Sequence, residues 1–91
     1  MEFKLIYHQD VVKKDIPALP KTMRARIKTA IESRLATHPE SYGKPLRHTL
    51  QSLWSLRIGD YRVVYRIEDE EVVILKIGHR RDVYRQSKPR G

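Results

Sequence analysis

The stretch from Leu53 to Tyr84, LWSLRIGDYRVVYRIEDEEVVILKIGHRRDVY, sets the tightest limit on what this chain can fold into. Apolar-rich runs are separated by two short polar turns, Gly59-Asp60 and Glu68 to Glu71. Trp54, Leu56 and Ile58 alternate with Leu53, Ser55 and Arg57. After the first turn, Tyr61, Val63, Tyr65 and Ile67 alternate with Arg62, Val64 and Arg66. Side chains on a strand point to opposite faces in turn, so this rhythm with tight turns predicts a three-stranded antiparallel meander. Val72 to Ile77 is apolar on both faces, which predicts a strand inside a sheet rather than at its edge.

The preceding half supplies the cover. Phe3, Leu5 and Tyr7 alternate with Glu2, Lys4 and Ile6 and predict a first strand. Asp10 is a candidate N-cap for a short helix carrying Val11, Val12 and Ile16, which Pro17 should stop. Pro20 opens a second helix from Lys21 to about Thr37. Its apolar stripe is Met23, Ile27, Ala30, Ile31 and Leu35. Its other side carries Lys21, Arg24, Lys28 and Arg34, and charge runs of this kind are most often solvated faces. His38-Pro39 ends it, and Glu40 to Leu50 reads as a loop. The tail from Arg85 to Gly91 is basic and should fray. The expectation is an α+β fold in one domain, residues 1–91, of order β-α-α-β-β-β. An antiparallel sheet has both N-terminal helices packed on one face and the other face open. Arg57 and Arg62 are the candidates for that open face.

Charge narrows the function classes. Nineteen Lys and Arg against eleven Asp and Glu leave a formal charge of +8. Such an excess on a small domain suits a polyanion, most commonly a phosphate backbone. The chain has no cysteine, so a disulfide framework and a thiolate zinc site are excluded, and a reducing cytoplasm fits. MEFKLIYH is too charged for a signal peptide, and no apolar run reaches the roughly 18 to 20 residues that cross a bilayer. No membrane partner is expected. No Gly-rich phosphate loop, serine elbow or metal-ligand spacing occurs, so neither metal nor cofactor is expected.

The candidate chemistry lies on the meander and beside it. Arg57, Arg62, Arg80 and Arg81 come from different strands or strand ends, and arginine forks bind phosphate oxygens bidentately. Lys44, Arg47 and His48 sit in the loop before the meander. His79 is a residue type that can give or take a proton at neutral pH, and Tyr84 lies among Arg80, Arg81 and Arg85, cations that favour phenolate. His8, His38 and His48 read as ordinary hydrogen-bonding residues, and Tyr7, Tyr61, Tyr65 and Trp54 as packing residues.

Two motifs here resemble the RelE branch of the RelE/ParE toxin superfamily, whose fold is related to microbial RNases. They are Leu56-Arg57-Ile58-Gly59-Asp60-Tyr61-Arg62-Val63-Val64-Tyr65 and Gly78-His79-Arg80-Arg81-Asp82-Val83-Tyr84, with Lys44-Pro45-Leu46 before them. The likeness extends over essentially the whole chain. It implies a cytoplasmic toxin of a type II toxin–antitoxin pair. Such a toxin is a metal-independent endoribonuclease (an mRNA interferase) that cuts mRNA in the ribosomal A site through attack by the RNA's own 2′-OH. By the resemblance, Arg62 and Arg80 stabilise the phosphate, Tyr84 is the C-terminal catalytic tyrosine, and Arg57 is a further cation of the same face. His79 stands where a general acid would serve. Lys44, Arg47 and Arg81 would add RNA binding. The family's two second-strand lysines, one a leading candidate for the base, are Leu53 and Ser55 here. Tyr84, His79, Lys44 and His48 are the substitutes the chain offers. The implied partner is a RelB-like antitoxin that folds on this domain, with operator DNA bound only through the antitoxin. Two other readings stay open: a ParE-like inhibitor of DNA gyrase, and a non-catalytic module that binds RNA or the ribosome.

Overall fold

The computed structural model describes residues 2–46 and 52–83. The order of elements is strand β1 (Lys4–Tyr7), a π-helical turn Val11–Asp15 leading into helix α1 (Ile16–Ala18), and helix α2 (Lys21–Ala30), which continues into a second π-helical turn, Ile31–Leu35. Helix α3 (Pro39–Tyr42) and strand β2 (Lys44–Pro45) follow, then strands β3 (Leu53–Ile58), β4 (Tyr61–Glu68) and β5 (Glu71–His79), and finally helix α4 (Arg80–Val83). No helix among the described residues is long and apolar enough to cross a membrane.

The predicted meander forms β3, β4 and β5, with Gly59-Asp60 and Asp69-Glu70 as its turns. Gly59 has φ +59°, and a positive φ at the first central residue of a two-residue hairpin is the position that favours glycine. The sheet has five strands in the order β1-β5-β4-β3-β2. It is mixed rather than antiparallel throughout, because β1 runs parallel to β5, Lys4 opposite Glu71 and Tyr7 opposite Ile74. A chain that leaves β1 over two helices and returns from the far side makes a crossover, and crossovers join parallel strands. β5, apolar on both faces, lies inside the sheet as its composition predicted.

Three further corrections are local. The first helical segment does not stop before Pro17. Pro17 lies in the first turn of α1, where a missing N–H costs nothing, and the chain turns extended at Leu19 (ψ 143°), immediately before Pro20. Asp10 makes no side-chain cap; its own N–H donates to His8 Nδ1 at 3.1 Å. The Glu40 to Leu50 loop holds two short elements, α3 with Pro39 in its first turn and β2. Both are too short to show a periodicity.

The helices cover one face of the sheet. Ile27, Ala30, Ile31 and Leu35 of the second helix pack with Leu56, Ile58, Val63, Tyr65, Val72, Ile74 and Ile77 in the main core. The other face carries a smaller cluster, Leu53, Val64, Leu75 and Val83, with Leu46 and Val73 against it. A register shift at Val64/Tyr65 lets Leu75 bulge out of the β4–β5 ladder, and Val83 brings α4 back over Gly78, 3.1 Å from where a Cβ would stand.

Tyr65 is fully buried, stacks with Trp54 at 6.5 Å between ring centroids, and donates its hydroxyl to the Pro39 carbonyl at 2.6 Å. Burial pushes this phenol well above the ordinary tyrosine pKa of about 10. Burial and then the Glu32 charge push Tyr7 the same way. Below that ordinary value both states keep the proton. Above it the unfolded chain ionises while the folded chain does not, so stability falls as pH rises. The expected slope is about 1.4 kcal/mol per pH unit for each such phenol. Thermal melts taken upward from about pH 9 should show this fall, and Tyr65→Phe should flatten it. An equally steep fall in the variant would show that Tyr65 is not its source.

Candidate functional site

The register of the hairpins assembles a cationic cleft on the face away from α1 and α2. Arg57 of β3 stands directly opposite Arg62 of β4, and Arg62 opposite Gly78 of β5. Lys44 of β2 stands opposite Ser55 of β3. Lys44, Ser55, Arg57 and Arg62, with Tyr42 and Leu46, line a cleft of about 320 Å³. No carboxylate lines it. Like charges placed directly across a ladder repel, so an uncompensated Arg57–Arg62 pair is a local cost that an anion would relieve.

Each member is held by the fold. Lys44 follows α3, whose Gly43 end lies so close to the buried ring of Tyr65 and to the Ser55 carbonyl that a Cβ there would stand 3.2 Å from that carbonyl. The Arg62 guanidinium folds over the β3–β4 turn, where Nη1 donates to the Gly59 carbonyl at 3.0 Å and to the Tyr61 carbonyl at 2.9 Å. A guanidinium has five N–H donors, so its others remain for a ligand. Among the described residues neither Arg57, Arg62, Arg80 nor Arg81 pairs with a carboxylate. Glu68 is taken by Arg66, at 2.6 Å in an ion pair whose angle makes no hydrogen bond.

The sequence-predicted residues are only partly brought together. Lys44, Arg57 and Arg62 share the cleft. Arg80 and Arg81 are exposed on α4, which the Arg80 N–H ties to the Asp60 carbonyl at 2.8 Å, beside the turn that Arg62 wraps. His79 does not join them. It pairs in register with Tyr61, which alternation sets on the helix side, and its ring meets Tyr61 edge-on at 5.5 Å. Its Nδ1 accepts the Arg81 N–H at 3.2 Å. His79 borders a separate hollow of about 240 Å³ with Asp15, Lys76 and Asp82. Tyr84, Arg47 and His48 lie outside the described residues.

Of the two positions at which the chain departs from the resembling family, Leu53 is buried in the smaller apolar cluster and Ser55 opens onto the cleft. Lys44 is the cation that the ladder sets next to Ser55. Sequence reasoning missed Tyr42, a cleft residue that is 53% exposed. The available signal was an aromatic two residues before Lys44 in a segment otherwise read as loop. An exposed ring beside cations is a platform on which a nucleobase can stack.

Comparison with known proteins gives a consistent picture. The family model described as the ParE toxin of the type II toxin–antitoxin system parDE matches residues 5–84. Toxin RelG of Mycobacterium tuberculosis is 41% identical over 76 residues, covering 81% of this chain and 87% of that protein. Toxin RelE of the same organism is 40% identical over 76 residues, covering 81% of this chain and 78% of its own. In the crystal structure of the M. tuberculosis RelBE2 toxin–antitoxin complex, one chain superposes with a TM-score of 0.80 at 34% identity, over 90% of this chain and 95% of that one. The isolated Escherichia coli RelE toxin shares the fold, with a TM-score of 0.68 at 24% identity over 91% and 92% of the two chains.

Proposed function

The chain belongs to the ParE toxin family of type II toxin–antitoxin systems, and from that premise we propose that it is a RelE-like endoribonuclease acting on mRNA in the ribosomal A site. The observation that carries this reading is the cleft in which Lys44, Arg57 and Arg62 meet without a carboxylate. The 40% identity to a toxin named RelE points the same way.

The reaction needs no group beyond the chain and the RNA. The 2′-oxygen loses its proton to a base and bonds to the adjacent phosphorus. The bond from phosphorus to the 5′ oxygen breaks, and that oxygen takes a proton. The products are a cyclic phosphate and a free 5′-OH. Arg62, with Arg57 and with Arg80 from α4, stabilises the charge that grows on the phosphorane oxygens. Lys44, which the ladder sets opposite Ser55, one of the two positions where the family carries a lysine, takes that lysine's part. Tyr84, which follows the buried Val83, exchanges the proton at the leaving oxygen. His79, turned toward Tyr61, shapes the start of α4 rather than touching the RNA. Arg81 and Arg47 add affinity for the phosphate backbone, and Tyr42 offers a stacking surface. The relatives solved as toxin–antitoxin complexes support a RelB-like antitoxin as the inhibitory partner, with operator DNA reached through it and a cytoplasmic site of action.

Primer extension on a reporter mRNA after induced expression tests the reading, wild type against Arg80→Ala/Tyr84→Phe. Discrete cuts inside translated codons, absent in the variant, are expected. Tyr84→Phe alone should slow cleavage about a hundredfold and leave ribosome binding nearly intact. Cleavage at the wild-type rate would remove the hydroxyl from the mechanism. Growth arrest with intact mRNA and inhibited supercoiling would favour the gyrase reading, which the ParE name of the family model supports.

A further inference from the structure

A second cationic groove lies on the opposite side of the sheet edge. It is formed between the second helix and the end of β3, about 640 Å³ in volume, with Arg26, Thr29, Ser33 and Arg34 on one wall and Arg57 to Gly59 on the other. Arg26, Arg34 and Arg57 are exposed, and no carboxylate lines the groove. Its hydroxyls and guanidinium groups are the donors that phosphate and ribose oxygens accept.

This groove is continuous with the cleft of Lys44 and Arg62. Arg57 belongs to both. Arg34 lies over the ring of Tyr42, 5.7 Å from its centroid, so a residue of each hollow touches the other. Between them, among the described residues, the outer edge of β3 is paired only at Trp54 and Ser55, because β2 is two residues long and begins directly after the Gly43 end of α3. The Arg26 guanidinium reaches the β3–β4 turn, with Nη1 3.8 Å from where a Cβ on Gly59 would lie. That turn is the one Arg62 holds from the other side. The acidic turn, Glu68 to Glu71, is at the other end of the hairpin, away from both hollows.

We propose that single-stranded RNA follows a phosphate track which leaves the cleft at Arg57, rounds the outer edge of β3 and runs into the groove of Arg26 and Arg34. The inference rests on the RNA reading of the cleft and adds a flanking-strand site on the helix layer. Arg26 and Arg34 hold backbone there and touch no reacting atom.

The test measures binding of labelled single-stranded RNA to the Tyr84→Phe chain, which preserves the oligonucleotide. Short (about 4 nucleotides) and long (about 12 nucleotides) probes are compared. The long probe should bind at least about tenfold more tightly than the short one. In Arg26→Glu/Arg34→Glu that advantage should vanish while short-probe binding holds within a few-fold. Arg26→Gln/Arg34→Gln, a milder pair, should show the same loss and flatten the slope of log affinity against log salt by about 1.4. Thermal melts check that both variants fold. Long-probe binding equal in wild type and variant overturns the track and leaves the cleft reading intact. Failure of wild type to bind either probe, free or as a ribosome-bound message, overturns both. Unchanged RNA binding with weakened antitoxin affinity overturns the track in favour of an acidic protein surface.

Discussion

Arg62→Ala is expected to lower the rate of mRNA cleavage by about a hundredfold to a thousandfold while leaving the protein folded. The residue is the second of β4 and pairs with Arg57 on one side and Gly78 on the other, so its strand position does not depend on its side chain. Its two side-chain bonds go to carbonyls at the surface turn, and losing them should cost about 0.5 kcal/mol or less. Removing the guanidinium also relieves the repulsion from Arg57. On the proposed mechanism, what disappears is the guanidinium that would stabilise the phosphorane. Arg62→Lys restores a charge without the planar fork and should recover only part of the rate. Single-turnover cleavage on programmed ribosomes, with binding measured separately, checks the claim. Binding within a few-fold and cleavage strongly reduced would fit a group that acts in the transition state. A variant that cleaves nearly as fast as wild type would leave the cleft without its central residue.

Gly43→Ala should be the most destabilising such change among the described glycines, at about 3 kcal/mol. A Cβ there overlaps the Tyr65 hydroxyl, lies 2.8 Å from Cζ of that ring and 3.2 Å from the Ser55 carbonyl. Tyr65 is fully buried and stacked on Trp54, so it has nowhere to go without opening the core. Pushing it aside also breaks its bond to the Pro39 carbonyl and leaves two buried polar atoms unpaired. Tyr65→Phe in the same chain removes the overlapping oxygen and should recover part of the loss. Urea unfolding of the two single variants and the double variant would measure the coupling. Additive losses would mean that the contact is not the cause.

The sheet was readable because its residues repeat. The alternation of Tyr61 to Ile67 with Arg62 to Arg66 gave the two faces of β4, and the Gly59 turn fixed the register that sets Arg57 against Arg62. The helical stripe from Ile27 to Leu35 was legible for the same reason. Pairing across the chain was not. Nothing in Lys4 to Tyr7 says whether that strand meets β5 parallel or antiparallel, because both directions present the same alternating side chains. β2 escaped because two residues have no period. His79 adjoins Arg80 in sequence yet stands apart from Arg62 in space, because proximity along a chain is not proximity across a sheet. One step along a strand moves a side chain to the other face, and His79 is one step from Gly78, the partner of Arg62. Tyr42 was lost among residues read as loop, though its exposure beside Lys44 is what gives the cleft an aromatic wall.

The parallel pairing of β1 with β5 joins the start of the chain to nearly its end, Lys4 beside Glu71 and Tyr7 beside Ile74. During synthesis β1 emerges first and waits, since β5 is its one neighbour in the sheet. The sheet can close only once β5 has been made, because β5 is the strand that lies between β1 and β4. Contacts so distant along the chain make folding slow for a domain of this size. Anything that meets the chain earlier meets a sheet whose first strand has no neighbour.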